Sequence, residues 1–133
     1  MLREMSSVPP EPVLTAEERL LFEKGVQEFN SGYFFECHDT LEDLWSGLRG
    51  PVRDFFQGLI QVSVGFYHLG GGNLGGAESM LLRALKRLEP YPSRYFGFDL
   101  DGHRVEIRDW LERIRAGDVG SLTLEDLPKW NFA

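Results

Sequence analysis

The chain has 133 residues, enough for one domain with one core. Hydrophobic residues make up 42%, more than a disordered chain carries. The formal net charge of −7 argues against nucleic-acid binding, which needs a basic face.

That charge is uneven. Residues 1–48 carry ten acids and three bases, whereas residues 49–133 carry eleven of each. The first third is therefore suited to steering a basic partner. Arg83, Lys86, Arg87 and Arg94 form a local basic stripe, read as a solvated helix face. There is no run of eighteen or more apolar residues, so no membrane span is expected. Met1 to Ser7 lacks an apolar stretch and a small-residue cleavage site, so no secretory signal is expected. Cys37 is the only cysteine, which fits a reducing, cytoplasmic location.

Residues 1–14 contain Pro9, Pro10 and Pro12 and read as a flexible or extended arm, leaving 15–133 as a single helical domain. Thr15-Ala16-Glu17-Glu18 has a capping-box pattern and opens a first helix over about 16–30. Asn30-Ser31-Gly32 stops it. Phe34, Cys37, Leu41, Leu44 and Leu48 recur at steps of three and four, giving a second helix over about 33–46. Gly47 and Gly50 end it, and Pro51 suits the first turn of a third helix reaching about Leu69. The third helix is apolar nearly all round, through Phe55, Phe56, Leu59, Ile60, Val62, Val64, Phe66 and Tyr67, so it belongs in the middle of the bundle. Its polar exceptions Gln57, Gln61 and His68 fall on one side.

Gly70-Gly71-Gly72 closes that helix and Asn73 caps a fourth, whose core residues are Ala77, Met80, Leu81, Leu85 and Leu88. Pro90 and Pro92 end it. Residues 95–102 read as a connector with an Asp-Gly turn. A fifth helix over about 103–116 packs through Ile107, Trp110, Leu111 and Ile114. The tail holds a weak capping signal at Thr123, and Trp130 is expected to dock on the bundle. Two helix–glycine turn–helix units recur at an offset of forty residues. The predicted fold is all-α: a compact bundle of about five helices, built from two stacked hairpins plus a C-terminal helix.

The candidate chemistry lies on the second and third helices. His38 and Glu42 are four apart and share a face. That spacing suits two ligands of one metal ion, or an acid–base pair. With His68 from the third helix the set has three ligands and leaves a position for water, as catalytic zinc sites do. The competing reading, which we favour, is a structural network in which Glu42 accepts from His38 and Gln61 satisfies what remains. H-E-x-x-H is not met, since Asp39 follows His38 and Glu stands at 42. Gly70 to Gly75 fits G-x-G-x-x-G as text, but a long helix precedes it where the dinucleotide motif needs a strand. Asp99-Leu100-Asp101-Gly102 fails as a calcium loop, because Arg108 falls at the last ligand position. Cys37 lies on the apolar stripe and reads as a packed thiol.

Phe29-Asn30-x-Gly32-x-Phe34-Phe35-Glu36-x-His38-Asp39-x-Leu41-Glu42-x-x-Trp45 forms one extended motif. Arg53-x-Phe55-Phe56-Gln57-Gly58-Leu59-Ile60-Gln61 follows, then Tyr67-His68 and Gly72-Asn73-x-x-Gly75-Gly76-Ala77. In this order, over about residues 20–115, they resemble the bacterial and plastid family catalogued as domain of unknown function 309. The family usually has Glu where this chain has Asp39. The resemblance implies an all-helical fold and no particular activity. It also implies that His38, Glu42, Gln61, His68 and Asn73 belong to the family's signature; together with Glu36 they make up the candidate polar cluster.

Two functions follow as expectations. One is a non-enzymatic binding or interaction module for a protein partner or small ligand. The other is a hydrolase using a divalent metal ion held by His38, Glu42 and His68. A homodimer through the third helix or the tail is a further option.

Overall fold

Thr15 starts the first helix by reciprocal capping. Its hydroxyl accepts from the Glu18 amide at 3.1 Å, and Glu18 Oε1 accepts from the Thr15 amide at 2.9 Å. The computed structural model describes residues 8–120 and 122–132. Its order is α1 (Ala16–Asn30), α2 (Phe34–Gly47), α3 (Val52–Gly70), α4 (Leu74–Leu88), β1 (Arg94–Tyr95), β2 (Phe98–Asp99) and α5 (Leu100–Ala116). The fold is an all-α bundle. The first seven residues of the expected arm lie outside the described residues. Of the rest, Pro12 is buried, and the Pro10 carbonyl accepts from the Tyr95 hydroxyl.

α3 packs against both α2 and α4 and carries eleven buried residues, so the nearly all-round apolar helix does lie at the centre. None of the described helices is long and apolar enough to cross a membrane. The forty-residue repeat is visible atom by atom. Gly32 and Gly72 both adopt positive φ, at 81° and 78°. In each turn three equivalent amides close the helix: Ser31, Gly32 and Tyr33 on Gln27, Phe29 and Glu28, and Gly71, Gly72 and Asn73 on Tyr67, Leu69 and His68. The interhelical contact repeats as well. A Cβ on Gly25 would stand 2.8 Å from Leu41 Cδ2, and one on Gly65 would stand 2.7 Å from Leu81 Cδ2. The core residues Phe34, Cys37, Leu41, Leu44 and Leu48 correspond in position to Leu74, Ala77, Leu81, Ala84 and Leu88.

The connector differs from expectation. The Asp101-Gly102 pair is no turn but lies in the first turn of α5, because the Asp99 carboxylate caps the Gly102 amide at 3.1 Å. The true reversal is Phe96-Gly97, with φ of 54° and 73°, which pairs β1 antiparallel to β2. Phe96 is held there by rings, with Phe22 at 5.4 Å and Phe132 at 6.0 Å. Arg104 is a buried residue that pattern reading missed. Its Nη1 donates to the Leu88 and Tyr91 carbonyls at 2.8 and 3.2 Å, sealing the end of α4.

After α5, left-handed Gly117 turns the chain back along the bundle. Thr123 starts no helix but a turn, its hydroxyl donating to Asp126 at 2.8 Å. Trp130 docks as expected. It is 1% exposed and stacks on Phe29 with ring centroids 3.7 Å apart.

Candidate functional site

α2 brings His38 and Glu42 together through one helical turn. Nε2 of His38 lies 2.6 Å from Glu42 Oε1, and Nδ1 lies 3.7 Å from Asp39 Oδ1. The His38 side chain is 24% exposed and that of Glu42 52%, so the pair sits at the bundle's edge, within reach of water. Gln61 does not join it. Gln61 is buried, and its Oε1 has no hydrogen-bonding partner. Of the expected network the His38–Glu42 contact is present, and Gln61 adds no hydrogen bond to it through Oε1.

His68 is also elsewhere. Four rings form a row across α2 and α3: His38 to Phe35 at 5.6 Å, Phe35 to Tyr67 at 5.5 Å, and Tyr67 to His68 at 5.8 Å. Each imidazole thus meets a different aromatic ring, His38 that of Phe35 and His68 that of Tyr67. Among the described residues no three His, Cys, Asp or Glu side chains converge as a metal site would need. His38, Glu42 and His68 are not brought onto one ion.

His68 pairs instead with Asn73 at the α3–α4 turn. The Asn73 amide nitrogen lies 3.4 Å from His68 Nδ1, and Asn73 Oδ1 accepts from the Gly76 amide at 2.9 Å. A Cβ on Gly76 would meet Asn73 Nδ2 at 2.6 Å and His68 Cγ at 3.0 Å, so only glycine leaves room for both. Here the glycine-rich string is a helix–helix turn, and its text match to a dinucleotide loop has no strand behind it.

Cys37 is fully buried, and burial pushes its thiol up to about 12, against a weaker opposing hydrogen bond with Ser63. A thiol held protonated in this way is no nucleophile at neutral pH.

Phe35, Tyr67 and His68 of this row border a cleft of about 760 Å³ at the ends of the two hairpins. The Gly32 turn and the start of α2 supply Tyr33, Phe35 and Glu36. The end of α3 supplies Tyr67 and His68, Asn73 closes one side, and Leu122, Leu124 and Leu127 form a wall from the chain beyond α5. Tyr33 is 59% exposed, and Phe35 and Tyr67 are 49% exposed. Of the six candidate cluster residues, Glu36, His68 and Asn73 line this cleft. Pattern reading placed Tyr67 in the core and passed over Tyr33 as a site residue. The available signal was that Tyr33 and Phe35 fall off the stripe of Phe34, Cys37 and Leu41.

Residues 22–80 match the family model described as Domain of unknown function (DUF309). All the motifs that carried the resemblance from Phe29 to Ala77 lie within that match. A protein of Aquifex aeolicus (strain VF5), described as "Uncharacterized protein", is 24% identical over 100 residues. The aligned stretch is 74% of this chain and 29% of that protein, so the chain spans under a third of its relative's length.

Proposed function

We propose that this chain, with its DUF309 region at residues 22–80, is a binding module whose hairpin-end cleft holds a basic, apolar-flanked segment of a partner protein. One observation carries the reading. Tyr33, Phe35 and Tyr67 stay about half exposed on one cleft, although the bundle buries most of its other large rings. Exposed apolar surface gathered beside polar groups is what docking sites present. The charge supports the sign of the partner. Glu36 is on the rim, Asp39, Glu42 and Asp43 follow it along α2, and the whole net charge resides in residues 1–48. Aromatic faces beside carboxylates suit lysine and arginine, through cation–π contact and ion pairing.

A titration with a short lysine–leucine peptide, followed by NMR, tests this. Shifts should concentrate at Phe35, Glu36, Tyr67 and His68, and Phe35→Ala and Tyr67→Ala should each weaken binding about tenfold, the size of an interface anchor. Equal binding of a glutamate–leucine peptide would overturn the charge preference. Shifts scattered away from the cleft would overturn the site.

The 2.6 Å His38–Glu42 contact supports a second reading, an acid–base pair or part of a hydrolytic metal site. Metal analysis of the untagged protein decides it. Near-stoichiometric metal that His38→Ala and Glu42→Ala both lose would replace the binding reading. A metal-free protein, unchanged in stability on adding zinc or manganese, would sink the metal site.

A further inference from the structure

The wall formed by Leu122, Leu124 and Leu127 depends on how the segment after α5 is held. Leu124 rests against the Gly32 turn, where a Cβ would meet it at 3.0 Å. The anchor is Trp130. Asn30 grips its backbone twice, donating to the carbonyl at 2.8 Å and accepting from the amide at 2.7 Å. Phe29 stacks on its ring. The third hold is the indole N–H, which lies 3.2 Å from His103 Nε2.

An indole nitrogen donates and never accepts. Nε2 of His103 must therefore be the bare nitrogen of a neutral imidazole, with the hydrogen on Nδ1. His103 is 2% exposed, and its Nδ1 is buried with no hydrogen-bonding partner. Glu106 Oε1, one turn further along α5, lies 3.5 Å from Nδ1, too far for a good bond. The other charged groups sharing a surface hollow with His103 are Arg94 of β1, Asp99 at the start of α5 and Lys129 of the segment itself.

We propose that the His103–Trp130 contact is a proton-sensitive latch, which holds the segment after α5 down as a wall of the cleft and lets it go when His103 takes a second proton. Imidazolium carries N–H on both nitrogens. Its Nε2–H would face the indole N–H, two donors head to head in a site from which water is excluded. Its Nδ1–H would gain the Glu106 carboxylate. Acid thus removes one of three holds and leaves the Asn30 and Phe29 contacts. The expected result is a roughly ten- to hundredfold rise in the open population, the size of an unmade buried hydrogen bond. The effect on a bound segment rests on the binding reading above, but the latch itself does not.

The test is NMR of the full chain from pH 8 to pH 5, with the Trp130 indole resonance assigned through Trp130→Phe. Its protection from exchange, corrected for the intrinsic rate, should fall ten- to hundredfold as the pH is lowered from 8 to 5. His103→Gln accepts a hydrogen bond without titrating and should abolish the transition. Glu106→Gln, at a half-exposed position, should move it to lower pH. Protection that stays constant with pH would overturn the latch, as would the same transition in His103→Gln. Should that variant fail to fold, an unmoved midpoint in Glu106→Gln overturns it alone. Release without peptide binding at any pH would remove the binding reading and keep the latch, and binding without release would do the reverse.

Discussion

Cys37 and His38 are sequence neighbours with opposite environments, and each makes a separate prediction. The Cys37 thiol is pushed up to about 12 by burial, whereas an unfolded thiol titrates near about 8.5. The folded state therefore favours the protonated thiol. The stability this group contributes is complete below about 8.5, declines as pH rises, and is gone above about 12. Tyr91, also raised to about 12 by burial, acts in the same direction. Urea midpoints measured from pH 8 to pH 11 should fall, and Cys37→Ala should flatten part of that slope. A thiol reagent at pH 8 should react with native protein only as fast as the chain opens. His38 belongs to the surface. Its partner Glu42 is half exposed, so His38→Ala should cost less than about 1 kcal/mol in chemical denaturation. A loss of several kcal/mol would mean that the pair supports the core after all.

At the scale of the helix, the repeated glycine–leucine contact makes the sharpest claim. Gly65 faces Leu81 as Gly25 faces Leu41, and both leucines are fully buried. Alanine at a helical glycine gains about 1 kcal/mol in propensity, but overpacking a filled core costs about 1–3 kcal/mol. Gly65→Ala should therefore destabilise by up to about 2 kcal/mol on balance, and Gly25→Ala should do the same. A double-mutant cycle checks the cause, because Leu81→Ala should cost less beside Ala at position 65 than in the native chain. Helices were also the most legible part of the sequence. Thr15 and Glu18 fix the start of α1, and Asn30-Ser31-Gly32 fixes its end, so both bounds were readable locally. The start of α5 was not. Asp-Gly at 101–102 looks like a turn in text, and only the Asp99 carboxylate reaching the Gly102 amide shows that the helix has already begun. The hairpin of β1 and β2 has two residues in each strand, too few to show alternation. Its Phe96 turn depends on rings brought in from α1 and from the far end of the chain.

For the molecule as a whole, what could not be read was what arrives from afar. The His38–Glu42 pair was legible because one helix fixes its spacing. Convergence with His68 was not, because it depends on which side chains meet where two helices pack, and Phe35 and Tyr67 meet there. That Trp130 docks was legible, but its partner Asn30, a hundred residues away in sequence, was not. Trp130 ties α1 to α5, since Phe29 and Asn30 lie on the one and His103 on the other. A second link runs through Phe132, whose ring meets Phe22 of α1 at 4.8 Å and stacks on Phe98 of β2 at 4.3 Å. Truncating a buried tryptophan costs about 3–5 kcal/mol in lost burial and cavity. A large part of the stability of a domain this size then rests on one residue outside every helix. Trp130→Ala should lower the unfolding free energy by that amount, and Asn30→Ala by about 1–3 kcal/mol through the orphaned Trp130 backbone groups. If the segment were an appendage, both variants would cost under about 0.5 kcal/mol, as surface changes do. Urea unfolding read by circular dichroism separates the two outcomes. Coincident near- and far-ultraviolet transitions in the wild type would show that α1, α5 and the segment joining them unfold as one unit.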